Sequence, residues 1–264
     1  MAARNDAFRT AATVDETPIT LRGPNLVIGL IHLAQGIVML ALSNGFSLPV
    51  TRSFLTGPPG TAPAQDHWFD VRLGPAVAAF LFMAALDHLL MVVPSVNRWY
   101  RRMLAQGRND ARWIEYSVSA SLMIVLIAMI CGVTDVGALI AIAGVNAAMI
   151  FFGLLHERYN GPNRTRVDWL PFVYGCIVGA LPWVVIAIQV ATSETKGAGP
   201  PAFVYGIIVS LFVLFNSFAV NMLLQYRRVG PWREYLFGER AYIVLSLVAK
   251  SLLAWQVFAN ILVG

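Results

Sequence analysis

Residues 239–250 read Glu-Arg-Ala-Tyr-Ile-Val-Leu-Ser-Leu-Val-Ala-Lys, an apolar run that follows an arginine and ends at a lysine. Lys250 lies ten residues beyond Arg240, which is about 15 Å along a helix and half of a hydrocarbon core about 30 Å thick. From that depth a lysine side chain reaches neither membrane surface, which disfavours simple snorkelling. Because buried lysines lose their proton readily and form Schiff bases with aldehydes, the run predicts a membrane helix with a functional amine at its centre.

The composition of the whole chain agrees with a membrane protein. Of its 264 residues, 58% are hydrophobic and 12% are charged, against about 25% charged in an ordinary soluble domain. Seventeen of the nineteen basic residues are arginines, and the two lysines are Lys196 and Lys250. The sequence has no metal-ligand spacing and no pairing of a nucleophile with a base, so an enzyme is not expected.

Seven apolar runs bounded by charge, Gly or Pro predict an all-α membrane protein, a seven-transmembrane helix bundle. Residues 1–23 are interpreted as an N-terminal tail and residues 24–264 as the membrane domain, with a long extracellular loop at about 47–71. The predicted spans are residues 24–46, 72–93, 113–133, 136–157, 169–191, 202–226 and 240–263.

The basic residues predict the orientation of the bundle. Fifteen of them fall in the tail and the even-numbered loops, and three fall on the opposite side. By the positive-inside rule the N-terminus is cytoplasmic and the C-terminus is extracellular, in a multi-pass protein of the cell membrane. The basic excess then faces the anionic lipid of the bilayer's inner surface and requires no nucleic acid.

A fixed positive charge at Lys250 needs a nearby anion. Glu115 is the candidate, because it lies in the cytoplasmic half of the third span, with Ser119 one helical turn further in. Arg112 lies three residues before Glu115 on the same helix face. An alternative is that Glu115 only forms an interfacial salt bridge with Arg112.

Polar residues on the first, second and seventh spans predict a polar cavity on the cytoplasmic side of Lys250. His32 lies ten residues after Arg22, and His88 lies ten residues before Arg98, so both share the depth of Lys250. Gln35 lies on the same face as His32, and Ser246 lies one turn below Lys250. Either histidine could instead be a packing residue. Asp87 lies about 100° round the helix from His88, which predicts that the two cannot face one centre, and its role is left open.

Apolar side chains at a similar depth could line a slot for a long apolar ligand, although such residues in a bundle often serve only packing. The candidates are Tyr116, Met123, Met149, Ile150, Gly153, Trp183, Phe212 and Phe215.

Three stretches of the sequence resemble the heliorhodopsin family of microbial rhodopsins. They are residues 239–250, the run Arg112-Trp113-Ile114-Glu115-Tyr116-Ser117 and the run Gly144-Val145-Asn146-Ala147 in the fourth span. The resemblance extends over the chain from the first span onward. Heliorhodopsins have a cytoplasmic N-terminus, which is the orientation that the basic residues predict.

The resemblance implies all-trans retinal linked to Lys250, with Glu115 as its counterion and Asn146 in the retinal site. It places Ser246 where ion-pumping rhodopsins usually carry a second carboxylate, and His32 and His88 in a cytoplasmic polar cavity. It also implies that the first extracellular loop forms a small strand structure that helps to build a homodimer.

The sequence favours a slow light sensor that transports no ion and signals to an unknown cytoplasmic partner. Where a proton pump resembling bacteriorhodopsin carries its internal proton donor, eleven residues past Glu115, this chain has Leu126. A light-driven pump or light-gated channel is the main alternative. A retinal-free protein that uses Lys250 and Glu115 as a proton-coupled pair is the second.

Overall fold

The computed structural model describes residues 21–162, 164–197 and 199–263, so most of the predicted tail lies outside the described residues. Within these residues, seven helices are long and apolar enough to cross a membrane, which confirms the predicted fold class. They are α1 (Arg22–Leu42), α2 (Leu73–Leu90), α4 (Asp110–Ile130), α5 (Val136–Tyr159), α6 (Leu170–Thr195), α7 (Ala202–Tyr226) and α8 (Tyr235–Val257), which continues as a π-helical turn over Phe258–Leu262. The predicted spans agree to within a few residues at most ends.

Side-chain caps fix the starts of two central helices. Asn109 accepts a hydrogen bond from the Arg112 amide at 3.2 Å and begins α4, and Asp135 accepts one from the Ala138 amide at 3.1 Å and begins α5. Between them Gly132 adopts a φ of +96°, a left-handed conformation that favours glycine at the end of a helix. These features produce the tight turn that places α4 and α5 side by side.

One helix, α3 (Pro94–Ala105), was not predicted from the sequence. It lies between the second and third spans and begins at Pro94, which suits a first helical position. Its buried residues are Tyr100, Met103 and Leu104, and its opposite face is rich in arginine. A search for long apolar runs misses such a helix, because it is short and only one of its faces is apolar.

The long first loop forms an antiparallel hairpin of β1 (Ser47–Phe54) and β2 (Ala64–Arg72). Its register runs from Ser47 opposite Arg72 to Phe54 opposite Ala64, with a bulge between Val50 and Thr51. This confirms the strand structure that the family resemblance implied. The Thr51 amide donates to the Thr134 carbonyl at 2.9 Å, and the Ser53 hydroxyl donates to Asp135 at 2.8 Å. These contacts hold the hairpin against the turn between α4 and α5.

The buried core lies between the helices, while many apolar side chains on their outer faces are exposed. Helix α1 packs against α2 and α8, α4 packs against α2 and α5, α5 against α6, and α7 against α8. Outward-facing leucine, valine and isoleucine side chains are what a helix bundle presents to lipid. The arrangement packs α8 against α1, α2 and α7 and so positions Lys250.

Candidate functional site

Lys250 is buried at the middle of α8 and paired with Glu115 of α4. Its Nζ donates to Glu115 Oε1 at 2.7 Å and to Ser246 Oγ at 3.2 Å. The side chains of Lys250 and Glu115 are 4% and 8% exposed. The ammonium also lies 5.1 Å from the centre of the Tyr116 ring. The interfacial salt bridge between Glu115 and Arg112 does not form.

Beside Lys250 lies a cavity of about 260 Å³ formed by residues of α4 to α8. The candidates that line it are Tyr116, Ser119, Met123, Met149, Ile150, Gly153, Trp183, Phe212, Phe215, Ser246 and Lys250. Its walls are mostly apolar and aromatic. The Trp183 ring meets the rings of Phe212 and Phe215 edge to face, with centroids 5.2 and 5.6 Å apart. The structure thus brings together side chains from five spans around one amine.

Asn146 does not line this cavity, and its place in the retinal site stays a prediction. Its Nδ2 donates to Ser121 Oγ at 3.1 Å, so the amide joins α5 to α4. Its buried amide needs a partner, and Ser121 supplies one.

Several lining residues were missed by the sequence analysis, among them Trp113, Phe172, Phe218, Met222 and Tyr242. A signal for two of them was present, because Phe215, Phe218 and Met222 follow one another at helical spacing along α7. The position of the Trp113 ring depends on a glycine of α5. A Cβ at Gly153 would run into its indole ring, so the absent side chain there lets Trp113 lie against α5.

A second, smaller cavity of about 20 Å³ lies beside the first. Its polar lining includes His88 and Arg112, as the sequence predicted, and also Asn25, Asp87, Tyr100, Asn109 and Glu239. Burial raises the pKa of the Tyr100 hydroxyl well above its ordinary value, so this group stays protonated. Tyr116 and Tyr242 contribute to the walls of both cavities.

Three predictions about the polar cavity are corrected. His32 does not line it but stacks on His88, with ring centroids 5.9 Å apart. Gln35 does not line it either, because its Oε1 accepts from Ser251 at 2.9 Å where α1 packs against α8. Asp87 and His88 both line this cavity, although the sequence predicted that they could not face one centre.

Arg112 is held by two acids that the sequence analysis did not select. Its guanidinium lies 2.5 Å from Glu157 and 2.5 Å from Glu239. Asn109 donates to Glu239 at 2.8 Å, and the Trp113 indole donates to Glu157 at 2.6 Å. Both acids lie near the ends of their spans, where a charged residue is ordinarily interfacial, so nothing in the sequence distinguishes them. The cluster forms one wall of the small cavity.

The comparisons with known proteins agree with this arrangement. The fold resembles the crystal structure of a light-driven proton pump from Leptosphaeria maculans, with a TM-score of 0.63 and 16% sequence identity over 90% of this chain and 93% of that one. At that identity the likeness shows the fold alone. A comparison with curated protein sequences finds no match. The sequence model of the heliorhodopsin family matches residues 21–262. This multi-pass membrane protein therefore belongs to the heliorhodopsin family.

Proposed function

We propose that the protein is a light sensor in which Lys250 carries all-trans retinal, and that it completes a slow photocycle without transporting ions. The family implies a retinal chromophore. The observation that carries the proposal is the buried amine of Lys250, which lines an apolar cavity and is paired with Glu115 at 2.7 Å. The protein is a photoreceptor on this account and not an enzyme.

The residues around Lys250 fit such a chromophore. A long apolar polyene requires an apolar and aromatic cavity, which the rings of Trp183, Phe212 and Phe215 supply. When bound, retinal is attached to Lys250 through a Schiff base and supplies a polyene that absorbs visible light and isomerises. We assign the remaining cavity candidates, Tyr116, Ser119, Met123, Met149, Ile150 and Gly153, to its walls.

Glu115 acts as the counterion of the positively charged Lys250 nitrogen. A carboxylate 2.7 Å away balances the positive charge of that nitrogen. The free Lys250 ammonium also donates to Ser246 Oγ at 3.2 Å, and Ser246 adds no charge to the site. After illumination the Lys250 nitrogen moves relative to Glu115, and the ion pair between them is weakened. The proton then passes to the polar side of Lys250 and later returns.

The core beyond Lys250 supports the absence of transport. The buried residues Leu253, Ala254 and Val257 follow Lys250 along α8, and they pack in one apolar cluster with Leu126 and Ile127. Leu126 stands where a pump would need a proton donor. An apolar core of this kind offers no groups to pass a proton or an ion onward.

Photocurrents from cells that express the protein test this proposal. We expect no steady or transient current on illumination, while a light-driven proton pump in the same cells gives one. The Lys250→Ala variant, which cannot bind retinal covalently, provides the baseline. A robust current that Lys250→Ala abolishes would favour the alternative, a light-driven pump or light-gated channel.

We further propose a cytoplasmic N-terminus, a homodimer and a cytoplasmic signalling partner. The arginine distribution supports the orientation. The hairpin supports the dimer, because its aromatic residues Phe54, Trp68 and Phe69 are 47%, 50% and 43% exposed. Protease digestion of terminal tags in sealed cells tests the orientation, and the mass of the detergent-solubilised protein tests the dimer. The arginine-rich face of α3 is where we expect a partner to bind.

A further inference from the structure

The small polar cavity contains the carboxyl group of Asp87, which has no role in the proposed function. Asp87 lies on α2, inside a membrane span, and lines the cavity beside His88. Within the described residues it forms no ion pair. A carboxyl group inside a membrane is costly, which makes it a candidate for function.

The other two carboxylates near this cavity are already engaged. Glu239 accepts hydrogen bonds from Arg112 and Asn109, and Glu115 accepts one from Lys250. His88 Nδ1 lies 2.7 Å from the Asn25 side-chain oxygen. Because that oxygen can only accept, His88 Nδ1 carries the hydrogen, and only Nε2 of this ring could take another proton.

The walls of the two cavities link Asp87 to the Lys250 site. The two cavities share a wall made of Tyr116 and Tyr242. The smaller cavity, at about 20 Å³, has room for one water molecule. A proton that leaves the Lys250 side therefore has a polar site within a short distance.

We propose that the Asp87 carboxylate accepts the proton that leaves the Lys250 nitrogen after illumination. This inference rests on the proposed function. In the forward step the N–H bond at Lys250 breaks and an O–H bond forms at Asp87, so both groups become neutral and the total charge is unchanged. In the return step the proton leaves Asp87, and the Lys250 nitrogen becomes positive again. Arg112, held by Glu157 and Glu239, stays charged throughout.

Light-induced difference infrared spectroscopy of the full-length pigment in membranes tests the proposal. We expect the wild-type protein to gain a carbonyl band of a protonated carboxylic acid as its deprotonated state forms. The band should be absent in Asp87→Asn and shifted in Asp87→Glu. In Asp87→Asn the deprotonated state should also form at least about tenfold more slowly, because a positioned proton acceptor contributes that much or more. Asp70→Asn, on the exposed hairpin, is the matched control and should behave as wild type.

The outcomes separate the inference from the proposed function. If the wild-type protein forms a pigment and a photocycle but the new carbonyl band survives in Asp87→Asn, or no such band appears, the inference is wrong while the proposed function stands. An acceptor at His88 Nε2 would give the second result. If Asp87→Asn yields no pigment, carbon-13 labelling of aspartate in the wild-type protein decides, because the new band must then shift. If the wild-type protein gives no visible pigment at all, the proposed function itself has failed.

Discussion

Glu115 Oε1 lies 2.7 Å from Lys250 Nζ, although 135 residues separate the two along the chain. The contact joins α4 to α8 in the interior of the bundle, and both side chains are almost completely buried. Removing one partner of a buried charged pair leaves the other charge uncompensated, which costs free energy. Changing either residue should therefore alter the chromophore more than any other change in the cavity.

The first prediction concerns the colour of the pigment. In Glu115→Gln we expect the absorption band to shift to longer wavelength, because the positive charge is no longer held at the nitrogen and spreads along the polyene. Absorption spectra of purified pigments measure the shift. Glu194→Gln, in an exposed residue near the end of α6, is the control and should leave the band in place. An unshifted band in Glu115→Gln would refute the counterion assignment.

The second prediction concerns the stability of the Arg112 cluster. Arg112→Gln leaves Glu157 and Glu239 buried without their cation, which should lower the free energy of unfolding by about 3–5 kcal/mol. Arg158→Gln is the matched control, because Arg158 pairs with Asp110 while 47% exposed, and its loss should cost about 0–1 kcal/mol. Unfolding in detergent, followed by tryptophan fluorescence, gives both values. Equal losses would contradict a structural role for the cluster.

The third prediction concerns the shape of the large cavity. Gly153→Ala adds a Cβ that meets the Trp113 ring, so the indole must move and the cavity wall must change. We expect a lower yield of pigment and a shifted absorption band. Gly144→Ala is the control on the same helix, because its added Cβ meets nothing within 4 Å. If both variants match the wild-type spectrum, Gly153 does not shape the cavity.

The fourth prediction concerns pH and the hairpin. The hydrogen bond from Ser53, helped by the Ala138 amide, holds the pKa of the Asp135 carboxyl below its ordinary value. A lowered folded-state pKa means that the stabilisation is present above the unfolded-state pKa, about 3.9, and is lost as the pH falls through the folded-state pKa.

Hydrogen exchange at the Thr51 amide, which bonds to Thr134, reports this loss. We expect wild type to protect that amide better than Asp135→Ala at about pH 6, and the difference to shrink below about pH 4. Amides at the centre of α7 should show no such difference and act as the internal control. A difference that is independent of pH would show that the carboxylate charge has no part in holding the hairpin.

Features that depend on local sequence were predictable. Each span is a continuous apolar run with charged or helix-breaking ends, and Lys250 could be placed at mid-depth by counting from Arg240. Helix α3 was not predicted because its apolar residues lie on one face only, so that polar residues interrupt them in the sequence. Glu157 and Glu239 escaped because a carboxylate near a span end has the same local sequence whether it faces water or a buried arginine. Asn146 was assigned from a motif, which gave no information on the boundary of the cavity.

The account depends most directly on covalent attachment of retinal to Lys250. The decisive measurement is the absorption spectrum of the purified protein after addition of all-trans retinal, for wild type, Lys250→Ala and the surface control Lys196→Ala. We predict a visible band in wild type and Lys196→Ala that is absent in Lys250→Ala. A wild-type protein that gains no visible band, or a band that survives in Lys250→Ala, would contradict the account and favour a retinal-free role for the Lys250 and Glu115 pair.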